Sequence, residues 1–411
     1  MDDTATMWIT LVVAAFLGGA CMVGVLVARR SAEPVFGAAA LTAFMGGAWT
    51  FALLGEAYSR LDAMLYAAVF AVAAAAGGYS LASTLLGALS RSRRPVAAGE
   101  PASDTDLAAL VIIGDDEPAQ YNERSTATAL DQLADEGLLD ASIAILPFLF
   151  MAQKARYRAS GGISRASRQL DSLAEHVEAS LASSGFGAVG SASVQGDRGL
   201  EYAVASAVRR GYRRIVVAEA MIGNSLELDR GKRSVDALRL AEKGVHVAYT
   251  HVLADSDRIA TLVASKIMAV ATEASGTGVV LVGAAQPDAR SKDRRDFDEQ
   301  ESAFLNRVRM NILDRGLAES HVRIAWSEWR TPDVTGAVRH LAAMGCFRII
   351  IAPACFPLDT IQSTLDIQIA VRQARLDPSV AAITLTGYAS DPAFAEEIRG
   401  RALRALATVE N

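Results

Sequence analysis

Histidine and cysteine, the residues that most often carry metal and nucleophile chemistry, are scarce here: five and three in 411 positions. Three cysteines, Cys21, Cys346 and Cys355, make no disulfide framework, which excludes a stapled secreted module. The histidines at 176, 246, 251, 321 and 340 include no HxH or HExxH pair, so no standard zinc motif is present. Basic charge is not in excess: 40 Lys and Arg stand against 46 Asp and Glu, a net of −6. That balance lacks the basic face of a nucleic-acid binder, and no nucleic-acid partner is expected. What the chain has in plenty is apolar residues, 51% of the total.

Much of that apolar content lies near the N-terminus. Residues 7–28, 35–55 and 63–89 are three uncharged runs, each long enough for a bilayer crossing of about 20 helical residues. The first follows the acidic MDDTAT and is too long for a signal-peptide core, so it reads as a retained helix. Arg29 and Arg30 follow the first run, and Arg91, Arg93 and Arg94 the third, whereas the loop between the second and third carries only Arg60. The positive-inside rule then puts the N-terminus outside and the region after residue 94 in the cytoplasm, as in a multi-pass cell-membrane protein. No ionisable residue interrupts the runs, which favours an anchor over a transporter. Paired glycines at 18–19, 46–47 and 77–78 suit close helix packing, within this chain or with a homo-oligomeric or membrane-protein partner.

Residues 95–106 are small, polar and proline-containing, as in a linker. Beyond them, short β-branched runs alternate with helical stretches. Strands are expected at 108–113, 142–146, 188–194, 214–218, 245–249, 278–282, 322–326, 348–352 and 381–385. Helices are expected at 164–184, 198–210, 256–273, 298–315, 333–344 and 391–407. Such alternation predicts an α/β fold with parallel sheets and ligand sites at the strand C-terminal ends. The chain also repeats itself. RRIVVAEA at 213–220 aligns with FRIIIAPA at 347–354, an offset of 134 that runs without a gap from about residue 200 onward. Upstream, IIGDDEP at 112–118 aligns with LVGAAQP at 281–287 at an offset of 169, which implies about 35 extra residues in the first copy, near 123–160. The organisation read from this is an anchor at 1–94, a linker at 95–106, and α/β units at 107–275 and 276–411.

Several segments carry a family resemblance. VVLVGAAQP (279–287), WSEWRTPDVTGAVRHLAAMG (326–345) and RIIIAPACFPLDTIQSTLDI (348–367) resemble, in order and spacing, three signature segments of ferrochelatases. GDDEP (114–118) and IVVAEAMIGNSLELD (215–229) are similar to the corresponding segments of sirohydrochlorin chelatases. The resemblance, to the class II tetrapyrrole chelatases, covers all of the region after the linker. It implies two tandem chelatase-like units with parallel sheets; the three-helix transmembrane region read from the apolar runs precedes them. It also implies a tetrapyrrole ligand and a divalent metal as substrate.

The departures from that family bear on chemistry. The metal-binding histidine falls on Ala284 in the second unit and Asp115 in the first; the proton-accepting glutamate falls on Gln362, its neighbouring histidine on Thr360, and a second histidine on Ser225. Alanine holds no metal, and a glutamine amide takes up no proton at neutral pH. Carboxylates remain at strand ends: Asp115, Asp116, Glu219 and Asp229 suit a hard cation such as Mg²⁺, or Co²⁺ and Fe²⁺ with help from water. The cluster beginning at Asp115 serves equally as a helix N-terminal cap. Trp326, Trp329 and Phe356 suit a platform for a flat ligand, or simply pack the loops. His251 is a lone histidine beyond a strand, Cys346 and Cys355 read as buried small hydrophobes, and the charge run at 291–302 reads as a solvated loop leading into the helix that begins near Phe297. Two functions follow from the resemblance. One is a membrane-anchored chelatase-like protein that binds a tetrapyrrole or metal with lost or altered catalysis. The other is an active cobalt- or ferrochelatase working through the first unit's carboxylates. A third reading is an accessory subunit of a membrane complex.

Overall fold

A computed structural model describes residues 3–57, 61–90, 105–135, 137–139, 142, 144–181, 184–194, 199–273, 275–285 and 295–409. Arg60, Arg91, Arg93, Arg94 and most of the expected linker lie outside the described residues. The chain forms two compact units, one from residues up to 94 together with 121–158, the other from 95–120 together with 159–411.

In the first unit, the helices α1 (Asp3–Val27), α2 (Glu33–Ala57) and α3 (Leu61–Ser90) contain the three stretches among the described residues long and apolar enough to cross a membrane. α1 packs on both others. Its contact with α3 is a glycine crossing. A Cβ on Gly19 would lie 2.0 Å from the Ala75 carbonyl oxygen, and one on Gly78 2.0 Å from that of Phe16. Backbones this close admit only glycine. Two further helices, α4 (Glu123–Asp135) and α5 (Leu146–Ala159), belong to the same unit. The strand expected at 142–146 is therefore corrected: residues 144–145 form a turn and the helix starts at Leu146. Pro147 explains the outcome, since proline suits a first helical turn and donates nothing to a sheet ladder.

The second unit alternates strands and helices from end to end. Its first half contains β1 (Thr105–Gly114), α6 (Ala166–Ser180), β2 (Phe186–Ser193), α7 (Leu200–Arg209), β3 (Tyr212–Glu219), α8 (Leu226–Asp236), β4 (His246–Tyr249) and α9 (Asp257–Val270). Its second half contains β5 (Thr277–Gly283), α10 (Arg295–Leu313), β6 (Val322–Trp326), α11 (Val334–Ala343), β7 (Arg348–Ala352), α12 (Ile367–Gln373), β8 (Ala381–Thr384) and α13 (Pro392–Val409). Two four-stranded parallel sheets result, ordered β2-β1-β3-β4 and β6-β5-β7-β8. The orders correspond strand for strand, and α7 and α11 begin 134 residues apart, at Leu200 and Val334. Both sheets are covered on two faces, so their strands are nearly continuous apolar runs; all seven residues of β5 are buried.

Side-chain alternation divides each strand between two cores. Leu110, Ile112 and Val216 of the first sheet and Leu281 and Ile350 of the second belong to one shared cluster, with Ile259 of α9 and Phe394 of α13. Val111, Ile113 and Val217 face α7 instead, while Val280, Ile349 and Ile351 face α11. The last helix of each half crosses over: α13 packs on β3, β4 and α6, and α9 packs on α10 and β7. Arg401 fastens this exchange. It is buried on α13 and donates to Asp255 (2.6 Å), Glu397 (2.9 Å) and the backbone carbonyls of His251 and Val252.

Candidate functional site

Loops leaving the C-terminal ends of β1, β3, β5 and β7 enclose a cavity of about 30 Å³. Its lining includes Asp115, Ser225, Ala284 and Thr360, four of the positions singled out in the sequence, from four separate loops. Gln362 does not line the cavity but is linked to it. Its Nε2 donates to Ser327 Oγ (3.0 Å), and Ser327 Oγ donates to the Ala284 carbonyl (2.8 Å), so one hydroxyl links the two positions. Gln362 opens a π-helical turn, Gln362–Asp366, immediately before α12.

The two hydroxyls at this cavity are committed to backbone. Ser225 is the N-cap of α8 and accepts from the Leu228 N–H at 3.1 Å; Thr360 Oγ1 accepts from the Ser363 N–H at 3.1 Å. A capping hydroxyl satisfies a helix donor that would otherwise lack a partner. Neighbouring acids hold loops in the same way. Glu117 accepts from Ser164 Oγ (2.6 Å) and the Ile361 N–H (2.5 Å). Asp359 accepts from Gln169 Nε2 (2.9 Å) and the Gly387 N–H (2.6 Å).

Asp115 is set apart by its electrostatics. Burial, joined by the negative charges of Glu227, Glu117, Asp116 and Glu301, raises its carboxyl pKa to about 8. It is accordingly held as the neutral acid near pH 7. Glu301, buried on α10, accepts from the Ala285 N–H at 3.0 Å. Burial together with Glu301 pushes the Cys355 thiol up, and burial does the same to the Tyr388 hydroxyl, which donates to the Ala354 carbonyl at 2.7 Å. The cavity wall thus disfavours added negative charge.

A larger cavity of about 360 Å³ opens beyond the ends of β3 and β4 and shares Asn224 with the first. Glu219 lines it, only 1% exposed, in an ion pair with Lys232 at 2.7 Å. The ammonium lies 5.5 Å from the Tyr249 ring centroid. Exposed His251 is on its rim.

The candidate metal residues are spread out. Asp115 and Asp116 follow β1, Glu219 ends β3 beside Lys232 in the larger cavity, and Asp229 occupies the first turn of α8. Among the described residues, no three His, Cys, Asp or Glu side chains come together as a metal-ligand set. The aromatic residues do not assemble either. Trp326 is buried in the inter-sheet core above Gly283, where a Cβ would lie 2.4 Å from its ring. Phe356 is buried in the cluster facing α11 but touches the small cavity. Trp329 is 58% exposed in a left-handed conformation. Cys346 and Cys355 are both buried and free.

Sequence reasoning missed Glu301, which lies where the charge run enters the helix expected from near Phe297. Residues 295–302 of that run are helical, and Phe297, Glu301, Phe304, Leu305 and Val308 share the buried stripe of α10. A carboxylate on an apolar helical stripe was the available signal. Residues 291–294 lie outside the described residues.

No family model and no curated protein matches this chain. Among solved structures, SirB from Bacillus subtilis with Fe3+ aligns at a TM-score of 0.45 and 10% sequence identity, covering 74% of this chain and 97% of that one.

Proposed function

We propose that the protein is a membrane-anchored, chelatase-like binding protein that has lost metal insertion. One observation carries the reading. The positions onto which the chelatase motifs map, Asp115, Ser225, Ala284 and Thr360, line a single cavity, and Gln362 joins Ala284 through Ser327. A chance motif alignment would scatter them. Yet Ser225, Thr360, Ala284 and Gln362 supply none of the missing chemistry. Both hydroxyls cap helices, Ala284 has no donor atom, and the Gln362 amide donates where a carboxylate would accept. The donor set at the cavity does not fit a bound divalent metal. At about 30 Å³ the smaller cavity has roughly one water's share of liquid volume. The larger one, about 360 Å³, falls in the usual range of roughly 300–1,000 Å³ for ligand pockets. A tetrapyrrole-class ligand therefore binds at the mouth of the cleft and over the larger cavity, outside the small one.

The anchor keeps the chain at a membrane, into which an apolar macrocycle partitions. The test is a titration of the full chain, in lipid nanodiscs, with a metal-free tetrapyrrole, followed by its Soret band. A saturable shift supports the reading. No shift removes the tetrapyrrole and leaves a protein partner as the cleft's occupant. A specific observation favours the active alternative: Asp115, with a pKa of about 8, takes up and releases protons near neutrality, as a general base must. Metal insertion that disappears in Asp115→Asn would establish that alternative.

A further inference from the structure

The extra residues of the first copy do not join the α/β unit that they interrupt; they pack with the three apolar helices. Their composition is polarised. Residues 143–152 (IAILPFLFMA) carry no polar side chain, and the charged residues that follow, Lys154, Arg156 and Arg158, are all basic. Contacts fix both ends of this stretch along the bundle. At its basic end, Lys154 Nζ donates to the carbonyls of Val25 (2.6 Å) and Ala28 (3.3 Å), and Tyr121 Oη donates to that of Val27 (2.6 Å). These carbonyls belong to the C-terminal end of α1, where cations and donors are favoured. Arg158 pairs with Glu33 at the start of α2.

At the apolar end, Tyr79 Oη donates to the Ala144 carbonyl at 2.9 Å. Tyr79 lies inside the third apolar stretch, Met64–Leu86, about 10 Å from its end at a rise of about 1.5 Å per residue. α1 and α3 run the same way, with Trp8 against Phe70 and, farther along, Gly19 against Ala75. The ends of α1 and α3 therefore lie on one side, and α5 descends from that side toward the level of Tyr79. Ala144 precedes the helix, so its carbonyl needs a partner at such a depth, and the tyrosine provides it. Ile145, Phe148 and Met151, three residues apart, are 51%, 50% and 40% exposed, while Phe150 between them is fully buried.

We infer that residues 144–152 form a re-entrant segment inserted among phospholipid acyl chains beside α3, with Lys154, Arg156 and Arg158 at the headgroup layer where α1 ends. The occupant of the exposed face is lipid, because that face is continuous with the apolar surface of the helices it is bonded to. The inference rests on the membrane-anchor reading, and its test separates the two. In full-length protein lacking native cysteines (Cys21→Ala, Cys346→Ala, Cys355→Ala), single cysteines are placed by Ile145→Cys, Phe148→Cys, Met45→Cys on α2 and Met344→Cys after α11. Each is labelled with bimane and reconstituted in nanodiscs of phosphatidylcholine and phosphatidylglycerol with brominated acyl chains. Quenching at 145 and 148 comparable to that at 45, with none at 344, is expected. Quenching at 45 without quenching at 145 and 148 overturns the re-entrant segment and leaves the anchor intact. Disulfide-linked dimers through 148 in place of quenching would also overturn it, by giving the face to a second copy. Loss of quenching at 45 as well would remove the anchor itself.

Discussion

Asp115 concentrates the electrostatic tension of the cleft. Its folded pKa of about 8 lies above the ordinary value of 3.8, so the folded state holds a proton that the unfolded chain releases. The resulting stability is fully present below about pH 4 and is lost as pH rises through about 8. Asp115→Asn keeps the shape and cannot ionise. Its stabilisation should be small near pH 5 and reach on the order of 1–3 kcal/mol near pH 9, allowing for screening at a half-buried group. Thermal unfolding of the full chain at both pH values checks this, and equal effects at both would contradict it. A second residue-scale expectation concerns Cys355. Buried and pushed up by burial and Glu301, it should resist alkylation in the folded protein and react on unfolding, as mass spectrometry would register. Sequence alone singled out Asp115, Ala284, Thr360 and Ser225, which line one cavity, because residues just past strand C-terminal ends of a parallel sheet gather at one edge. It did not reveal that Ser225 and Thr360 cap helices, since a serine or threonine before a helix looks the same in either role.

The elements were legible wherever local pattern and tertiary demand agree. Strands such as 322–326 and 348–352 coincide with the expected spans because a doubly covered parallel strand is an unbroken apolar run. The same reasoning failed at 142–146, where an equally apolar run serves a helix packed with the apolar bundle. Periodicity cannot separate the two over so few residues. Two of the three glycine pairs also had a readable purpose, whereas at Gly46–Gly47 a Cβ would meet nothing nearer than 3.7 Å. At the α1–α3 crossing a Cβ on Gly78 would lie 2.0 Å from backbone, so Gly78→Val must part the helices. The expected cost is on the order of 1–3 kcal/mol, seen as a lower unfolding temperature in detergent. Gly37, with nothing within 4 Å of its would-be Cβ, is the control: Gly37→Ala should be neutral or slightly stabilising.

At the scale of the molecule, the exchange of α9 and α13 decides how the tandem halves behave. Each sheet is finished by the other half's last helix, and the two share one core. Residues 276–411 expressed alone should therefore not unfold cooperatively, and Arg401→Ala should destabilise the whole chain by about 2 kcal/mol. A sequence offset cannot show such an exchange, because it records likeness between segments and not which sheet a helix packs against. The central claim, however, concerns the cleft: a chelatase-like frame without its insertion chemistry. The direct measurement is the rate of Co²⁺ and Fe²⁺ insertion into a tetrapyrrole by the full-length protein in nanodiscs, followed by absorbance against a protein-free reaction. The account predicts a rate equal to that background for the native chain, and metal binding only once Ala284→His and Gln362→Glu are combined. Insertion by the native chain well above background would contradict it.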